Sequence, residues 1–507
     1  MIFANDSAPV KVAKGAALVF SGLVFARLLN YAYRVVLARA GGADEFGLLF
    51  LGISTIAVAG TLAGLGLSSG VARYVPLYLG SKDEPRVRGV LRFSIFASLI
   101  SGCVAGLLLW KLAPSIAIGL LDSPRLVEVM QISALCLPFY VVGRLLVKAV
   151  VAFQKIGYRV AVHQVLNPVV RLSLTIVLLA AGLGVLGAMW AYFAAEVLSC
   201  LALLWLLERR VFAVFSGKGI KKPSQFELAP YLAYSLPLFL AGIVDLVMNY
   251  TDAFMSGYFL DNSQVGIFGA AVTLTSLAAL GNELLNPMFL SIITREYARG
   301  NNTEVVANYN NNNRWCLYLT LPLAVLLIVF STPVMVLLWG GDFAAGASVL
   351  AILTVGRTFY YLANTSGFVL LMHGASRYYF GANSLCALLN VGLNYNLIPR
   401  FGVTGAALAT GISLCLLALL QVYGARYYHR GEGMRVLDLR ILAAAVLPAA
   451  ALLPAAHYWH PGWAGLIGVG LVYLAVFILA LWIAKAFSAE DRLIWRRLRE
   501  RLKGESG

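Results

Sequence analysis

The sequence predicts an all-α integral membrane protein of about fourteen transmembrane helices, arranged as two parallel six-helix repeats and two extra C-terminal helices. Three observations predict this class. Hydrophobic residues make up 60% of the 507 residues and charged residues only 12%, which excludes both a soluble surface and a disordered chain. The apolar runs have the length of about 20 residues that a spanning helix needs. Motifs also recur at a spacing of 218 to 219 residues.

The apolar runs follow one another so closely that little length remains for a soluble domain. They are also twice as long as the strands of a membrane barrel, which use about 10 residues. The thirteenth run contains Pro448 and Pro454 and is the least regular. In order, the predicted spans are Gly15–Leu37, Phe46–Leu67, Val90–Leu109, Val127–Ala152, Val160–Ala180, Val185–Leu207, Leu228–Gly257, Val265–Ile293, Trp315–Leu338, Ala347–Leu371, Tyr378–Leu397, Val403–Tyr423, Ile441–Ala456 and Trp463–Ala484.

Lysine and arginine predict the orientation of these helices. With the N-terminus in the cytoplasm, 29 of the 39 basic residues fall in cytoplasmic loops and tails and four fall in outer loops. This is the asymmetry of the positive-inside rule. The sequence thus predicts a protein of the cell (cytoplasmic or inner) membrane with both termini in the cytoplasm. The net charge of +16 then reflects topology and predicts no nucleic-acid partner.

Internal repetition predicts the domain organisation. The motif at residues 30–31 recurs at 249–250, the motif at 45–47 recurs at 264–266, and the motif at 184–188 recurs at 402–406. Because six helices return the chain to the same side, both halves enter the membrane in the same orientation, as in parallel transporter repeats. The predicted parts are an N-lobe (1–210), a cytoplasmic linker (211–228), a C-lobe (229–430), helices 13 and 14 (431–487) and a basic cytoplasmic tail (488–507).

Polar side chains inside the spans indicate what a central cavity would hold, since intramembrane charge requires a partner or water. Guanidinium groups suit phosphate, and buried carboxylates suit a coupling ion, Na⁺ or H⁺; no metal site or other cofactor is predicted. The predicted ligands of a phosphate- or sugar-bearing substrate are Arg27, Asn30, Tyr31, Arg34, Arg144, Lys148, Arg171 and Arg357. The predicted ion-coupling residues are Asp245, Asn249, Asp252, Glu283 and Glu196.

Helical spacing groups some of these residues. The polar residues from Arg27 to Arg34 form one stripe on the first helix, and Asp245 to Asp252 form the equivalent stripe on the seventh. The alternative is that these charges are interhelical salt bridges that close the two halves. Lys148 lies near a helix end, where it can also extend to the membrane interface.

Six stretches resemble the polysaccharide flippases, the polysaccharide transporter family of the multidrug/oligosaccharidyl-lipid/polysaccharide exporter superfamily. They are residues 26–39 (ARLLNYAYRVVLAR), 44–49 (DEFGLL), 64–76 (GLGLSSGVARYVP), 235–238 (SLPL), 338–343 (LWGGDF) and 402–406 (GVTGA). The resemblance implies two lobes that form a V around a lumen, and translocation of polyprenyl-pyrophosphate-linked oligosaccharide to the outer leaflet. It further implies a cationic first lobe, matched by Arg27 and Arg34, and an ion site on the seventh helix, matched by Asp245 and Asp252.

Two other functions stay open at this point. A cation-coupled drug exporter of the same superfamily is one, although five buried cations in one lobe disfavour a cationic drug. A membrane glycosyltransferase or polymerase is the other, although the outer loops are short and contain few acids. The predicted class is therefore a transporter and not an enzyme.

Two polar segments complete the prediction. The run Asn310–Asn313 is predicted to be a cytoplasmic linker before the ninth helix. The tail at 492–503 places Trp495, Leu498 and Leu502 on one face among cations, which suits a helix lying on anionic lipid. The alternative is a basic tail that only fixes the topology. Glycan-assembly membrane proteins are further expected partners.

Overall fold

The computed structural model describes residues 8–216, 227–429, 433–458, 462–488 and 491. The secondary structure of these residues is helical. Short π-helical turns lie at Val160–Leu166 and Leu207–Val211, and 3₁₀ turns lie at Ser276–Ala279 and Gly341–Gly346. The helices are α1 (Ala8–Ala63), α2 (Leu67–Gly80), α3 (Glu84–Ala117), α4 (Leu126–Ala152), α5 (Ile156–Arg159), α6 (Asn167–Ala180), α7 (Gly184–Leu206), α8 (Leu228–Phe259), α9 (Asn262–Thr275), α10 (Leu280–Ala298), α11 (Asn302–Val329), α12 (Ser331–Trp339), α13 (Ala347–Met372), α14 (Ser376–His429), α15 (Leu439–Tyr458) and α16 (Trp463–Ile483).

Ten helical segments among the described residues are long and apolar enough to cross a bilayer. Two of them, α1 and α14, each contain two predicted spans joined at a bent glycine, Gly42 (φ 72°) and Gly402 (φ 58°). Large apolar side chains cover outer faces, as with Leu108 (55% exposed) and Ile483 (75% exposed), and lipid favours such faces. The chain is therefore a multi-pass helical membrane protein, and the count of fourteen spans stays a prediction.

The chain packs into two compact units. The first contains the residues up to Gly269 together with Val391–Ala406, and the second contains Ala270–Asn390 and the residues from Ala407 onward. Helix α8, which the sequence analysis places in the C-lobe, thus packs in the first unit. The boundaries of the predicted lobes, linker and tail stay predictions.

In the first unit, α4 packs against α1, α3 and α7. The hydrophobic core between these helices includes Leu146 and Leu203, and this core extends to Tyr231 at the beginning of α8. The Tyr231 hydroxyl lies 2.7 Å from Ser94 Oγ and donates to the carbonyl oxygen of Leu67 at 2.7 Å. Because a buried phenol needs a hydrogen-bond partner, these contacts attach α8 to α2 and α3.

The repeat motif at 184–188 and 402–406 forms the same local structure twice. Gly184 (φ 50°) and Gly402 (φ 58°) both adopt the left-handed conformation that glycine tolerates best. Three residues later, Gly187 and Gly405 each pack closely against the preceding helix, where an added Cβ would meet Leu178 or Leu397 within 3 Å. The internal repeat read from the sequence is therefore present in the backbone at these positions.

A second repeated motif brings the two repeats into direct contact within the first unit. A Cβ on Gly47 would overlap the carbonyl oxygen of Asn262, and a Cβ on Gly266 would overlap the carbonyl oxygen of Ala43. Gly47 and Gly266 are equivalent positions in the two repeats. The repeats therefore meet here through their backbones, in a reciprocal contact that leaves room only for hydrogen.

In the second unit, α10, α11 and α13 pack around a row of buried amides. Asn286 Nδ2 donates to Asn282 Oδ1 at 3.2 Å, and Asn312 Nδ2 donates to Asn286 Oδ1 at 3.2 Å and to Thr365 Oγ1 at 3.1 Å. The prediction that Asn310–Asn313 is a linker is wrong, because these residues lie inside α11. An amide is costly to bury unless it is hydrogen-bonded, and the neighbouring helices supply the partners.

The chain after α16 is attached to α11 through Asp491. Asp491 Oδ1 accepts a hydrogen bond from the Trp315 indole at 2.8 Å, Oδ2 accepts one from the Ser488 amide at 2.8 Å, and Arg314 Nε lies 3.3 Å from Oδ2. Burial raises the pKa of Asp491, but these hydrogen bonds and the Arg314 charge outweigh it and hold the pKa below its ordinary value. The predicted lipid-binding segment 492–503 lies outside the described residues.

Candidate functional site

Most of the predicted site residues lie in the first unit. Glu283 on α10 is exposed and Arg357 on α13 is half-buried, and both belong to the second unit. The others are Arg27, Asn30, Tyr31 and Arg34 on α1, Arg144 and Lys148 on α4, Arg171 on α6, Glu196 on α7, and Asp245, Asn249 and Asp252 on α8. The α1 residues are half-buried, whereas Arg144, Lys148, Asp245 and Asn249 are exposed and Asp252 is buried.

Arg171 and Glu196 form an ion pair that is mostly shielded from solvent. Arg171 Nη2 lies 3.1 Å from Glu196 Oε1, and the side chains are only 11% and 13% exposed. Asn167 joins both partners, since its Oδ1 accepts from Arg171 Nη2 at 2.7 Å and its Nδ2 donates to Glu196 Oε1 at 3.1 Å. From the sequence, Arg171 is predicted to bind the substrate and Glu196 to bind a coupling ion. The structure pairs them with each other and so holds α6 against α7.

Arg171 also connects to the polar stripe on α1. Its Nη1 donates to Asn30 Oδ1 at 3.1 Å, and its Cζ lies 4.0 Å from the centroid of the Tyr192 ring, a cation–π contact. Asn30 Nδ2 donates to the carbonyl oxygen one turn earlier at 2.8 Å, which fixes its amide. Asn249, the equivalent residue on α8, makes the same backbone hydrogen bond at 2.7 Å.

Arg144 projects from α4 beside a second group of tyrosines. Its Nη1 donates to Tyr140 Oη at 2.6 Å. Tyr250 of α8 interacts electrostatically with Arg144 and with Arg34. Arg34 in turn interacts electrostatically with Arg171. We call the whole group the arginine–tyrosine cluster, and it consists of Arg34, Arg144, Arg171, Tyr31, Tyr140, Tyr192 and Tyr250.

The chemistry of the arginine–tyrosine cluster suits a phosphate group that is bonded to sugar rings. Guanidinium groups present planar N–H donors that match phosphate oxygens, and a membrane-embedded setting strengthens that attraction. Tyrosine adds an apolar face and a hydroxyl tip, which fits the mixed surface of a sugar. The cluster can therefore bind a phosphate group and contact the groups bonded to it.

Several partners of the predicted residues were absent from the sequence analysis. A simple signal identifies them, because each lies one helical turn before a charged residue and so shares its face. They are Tyr140 before Arg144, Asn167 before Arg171 and Tyr192 before Glu196.

Asp252 forms a separate site in the first unit. The carboxylate is 5% exposed, and its Oδ1 accepts a hydrogen bond from Asn394 Nδ2 at 2.8 Å. Asn394 is fully buried on α14 and lies 142 residues further along the chain. A buried carboxylate beside a carboxamide can take up a proton or contribute oxygens to Na⁺, which is the chemistry of intramembrane acids in transporters.

Comparison with known proteins shows the family of the chain. The model of the polysaccharide biosynthesis protein family matches residues 12–293, and the model of the lipid II flippase MurJ family matches residues 231–477. The probable low-salt glycan biosynthesis flippase Agl15 of Haloferax volcanii is 23% identical over 426 residues, which cover 81% of this chain and 80% of that protein.

Two solved structures show the fold. A lipid II flippase MurJ in an inward closed conformation aligns with a TM-score of 0.70 at 18% identity, over 95% of this chain and 99% of that chain. An inward-facing multidrug resistance MATE family transporter of the MOP superfamily aligns with a TM-score of 0.64 at 17% identity, over 80% of this chain and 94% of that chain.

These similarities confirm the resemblance read from the sequence. The first family model spans more than half of the chain, and the two structures share its helical fold. The proteins named in the comparison are flippases and transporters and not enzymes. The chain belongs to the polysaccharide biosynthesis protein family.

Proposed function

We propose that this protein is a flippase that moves a polyprenyl-phosphate- or pyrophosphate-linked oligosaccharide from the inner to the outer leaflet of the cell membrane by alternating access. The observation that carries the proposal is the arginine–tyrosine cluster in a membrane-spanning helical unit. Two relatives support a cargo of this kind, since one is described as a glycan biosynthesis flippase and another as a flippase of lipid II.

The physical difficulty of this transport is the phosphate group, because its charge must cross a region of low dielectric constant. Arginines inside the membrane offset that penalty by replacing water with charge-assisted hydrogen bonds. The same arginines would repel a cationic drug, which makes the exporter alternative the weaker proposal. The 29-to-4 distribution of basic residues supports cytoplasmic termini and so an inner-leaflet side for loading.

Arg144→Gln is expected to reduce the initial rate of flipping about tenfold or more, since it removes a charged donor from the phosphate site. The measurement uses purified protein in liposomes that contain a fluorescent lipid-linked oligosaccharide, with a membrane-impermeant quencher reporting the leaflet. Arg400→Gln is the control, because Arg400 is exposed and lies in a predicted outer loop.

Flipping by Arg144→Gln at the wild-type rate would contradict the assignment of Arg144 to the phosphate. Failure of the wild-type protein to flip the lipid, with efflux of a cationic dye from the same liposomes, would instead favour the drug exporter.

We further propose that transport is coupled to Na⁺ or H⁺ at Asp252. The buried carboxylate and its hydrogen bond from Asn394 support this assignment. Asn249 and Asp245 lie one and two turns away on the same helix and are exposed, so an ion can approach along this face. Glu283 and Glu196 remain further predicted coupling residues, and the pairing of Glu196 with Arg171 makes Glu196 the weaker of the two.

Asp252→Asn is expected to abolish the acceleration of flipping by an imposed ion gradient, because an amide neither titrates near neutral pH nor attracts Na⁺ as a carboxylate does. Flipping is measured in liposomes with a Na⁺ gradient, a pH gradient or neither. Asp122→Asn, at an exposed position, is the control. A wild-type rate that is insensitive to both gradients, or an Asp252→Asn protein that keeps the wild-type response, would contradict coupling at this residue.

A further inference from the structure

We propose that Tyr140 is a positioning residue for substrate binding, which acts by holding the guanidinium of Arg144 in a fixed orientation within the arginine–tyrosine cluster. The inference rests on the proposed function of Arg144 as a phosphate ligand. It adds a residue to which neither the sequence motifs nor the family relationship assigns a role. Two independent contacts carry it, one to Arg144 and one to Gly60.

The first contact joins Tyr140 to Arg144 on the same face of α4. The Arg144 Nη1–H donates to Tyr140 Oη at 2.6 Å, and Arg144 Cζ lies 5.4 Å from the centroid of the Tyr140 ring. The Arg144 side chain is exposed, so protein packing alone does not fix its long chain. The hydrogen bond occupies one end of the guanidinium fork and leaves its other N–H groups for a ligand.

The second contact fixes Tyr140 itself. Its ring lies against Gly60 in the second half of α1, where an added Cβ would be 2.5 Å from Cδ1 and 2.6 Å from Cε1. Gly60 is buried, and α1 packs along α4 at this point. The ring therefore occupies a slot that exists only because residue 60 has no side chain, and the slot sets the position of the phenol oxygen.

The two contacts together pre-organise the arginine. A free arginine loses conformational entropy when it binds a phosphate, whereas an arginine already held in place loses less. Tyrosine suits this role because it has only two side-chain torsions and its ring lies against Gly60 of α1. The packing of α1 against α4 at Gly60 thus fixes the Tyr140 ring, and the Tyr140 hydroxyl in turn orients the Arg144 guanidinium.

The test compares Tyr140→Phe with wild type in the flipping assay with fluorescent lipid-linked oligosaccharide. Tyr140→Phe keeps the ring in its slot and removes only the hydroxyl, so we expect KM to rise about tenfold while kcat and the melting temperature stay near wild type. Gly60→Ala is expected to raise KM as well, because it displaces the ring. Tyr378→Phe is the control, since it loses a comparable hydrogen bond, to Leu420 O at 2.8 Å, in the second unit.

A double-mutant cycle separates positioning from a general structural effect. If Tyr140 acts through Arg144, adding Tyr140→Phe to Arg144→Gln has no further effect on KM. A wild-type KM for Tyr140→Phe beside a defective Arg144→Gln would overturn this inference alone, as would full additivity of the two changes. Normal transport by Arg144→Gln would overturn the proposed role of Arg144 and this inference together.

Discussion

Replacing Gly47 by alanine is expected to lower the free energy of unfolding by about 2 kcal/mol or more, the upper part of the range for overpacking. The new Cβ would overlap the carbonyl oxygen of Asn262 and would lie 3.0 Å from the backbone nitrogen of Gly266. Both obstacles are backbone atoms, so no side-chain rotation relieves them. The helices must separate, and the contact between the two repeats is lost.

Gly266→Ala is expected to have the same effect for the equivalent reason, since its Cβ would overlap the carbonyl oxygen of Ala43. The measurement is the melting temperature of the detergent-solubilised protein, followed by size-exclusion chromatography after heating. Gly392→Ala is the matched control, because Gly392 lies within helix α14 and an added Cβ would meet no heavy atom within 4 Å apart from its chain neighbours and its own helix backbone. If the alanine variants at 47 and 266 have the same melting temperature as the control, the reciprocal contact contributes nothing to stability.

Glu196→Gln is expected to be the most destabilising charge substitution, by about 3 kcal/mol or more. Arg171 would keep its charge in a site that is 11% exposed and would lose its carboxylate partner. The hydrogen bonds that Arg171 makes with Asn167 and Asn30 would remain, but amide oxygens compensate a buried charge less than a carboxylate does. The contact between α6 and α7 should loosen as a result.

The melting temperature again provides the measurement, with Glu128→Gln at an exposed position of α4 as the control. The double variant Arg171→Gln with Glu196→Gln removes both charges and is expected to be more stable than Glu196→Gln alone. If Glu196→Gln alone has the same melting temperature as the control, the ion pair does not stabilise the fold. A double variant as unstable as the single would mean that the loss comes from packing and not from the unpaired charge.

The class of this protein could be read from its sequence because the bilayer acts on composition and length. The chain has 60% hydrophobic and 12% charged residues, and its apolar runs are long enough to span a bilayer. Few folds other than a bundle of membrane-spanning helices accommodate such a sequence. The repeat could be read because its motifs contain glycines with a backbone role. Gly184 and Gly402 share the left-handed conformation, and Gly47 and Gly266 meet each other, so substitution is restricted at those positions.

The candidate site was predicted in part. The cost of burying charge singles out Arg34, Arg144 and Arg171 from sequence. In the structure Arg34 interacts electrostatically with Arg171, and Tyr250 interacts with Arg34 and Arg144. Tyr140, Asn167 and Tyr192 are uncharged and were not predicted, although each lies one helical turn before a charged residue. The asparagine run at 310–313 was wrongly predicted to be a linker, because a polar run in a sequence resembles a loop. In the structure it lies inside α11, where neighbouring helices supply hydrogen bonds to the buried Asn312.

Composition, the length of the apolar runs and motif spacing thus suffice to predict the membrane-embedded helical class, the two repeats and the identity of the intramembrane charges. The partners of the intramembrane charges become visible when the helices are packed together. Arg171 pairs with Glu196 across α6 and α7, and Asp252 accepts a hydrogen bond from Asn394 across α8 and α14. The physical reason is that helix periodicity specifies which residues share a face, whereas the partner of that face depends on how whole helices pack.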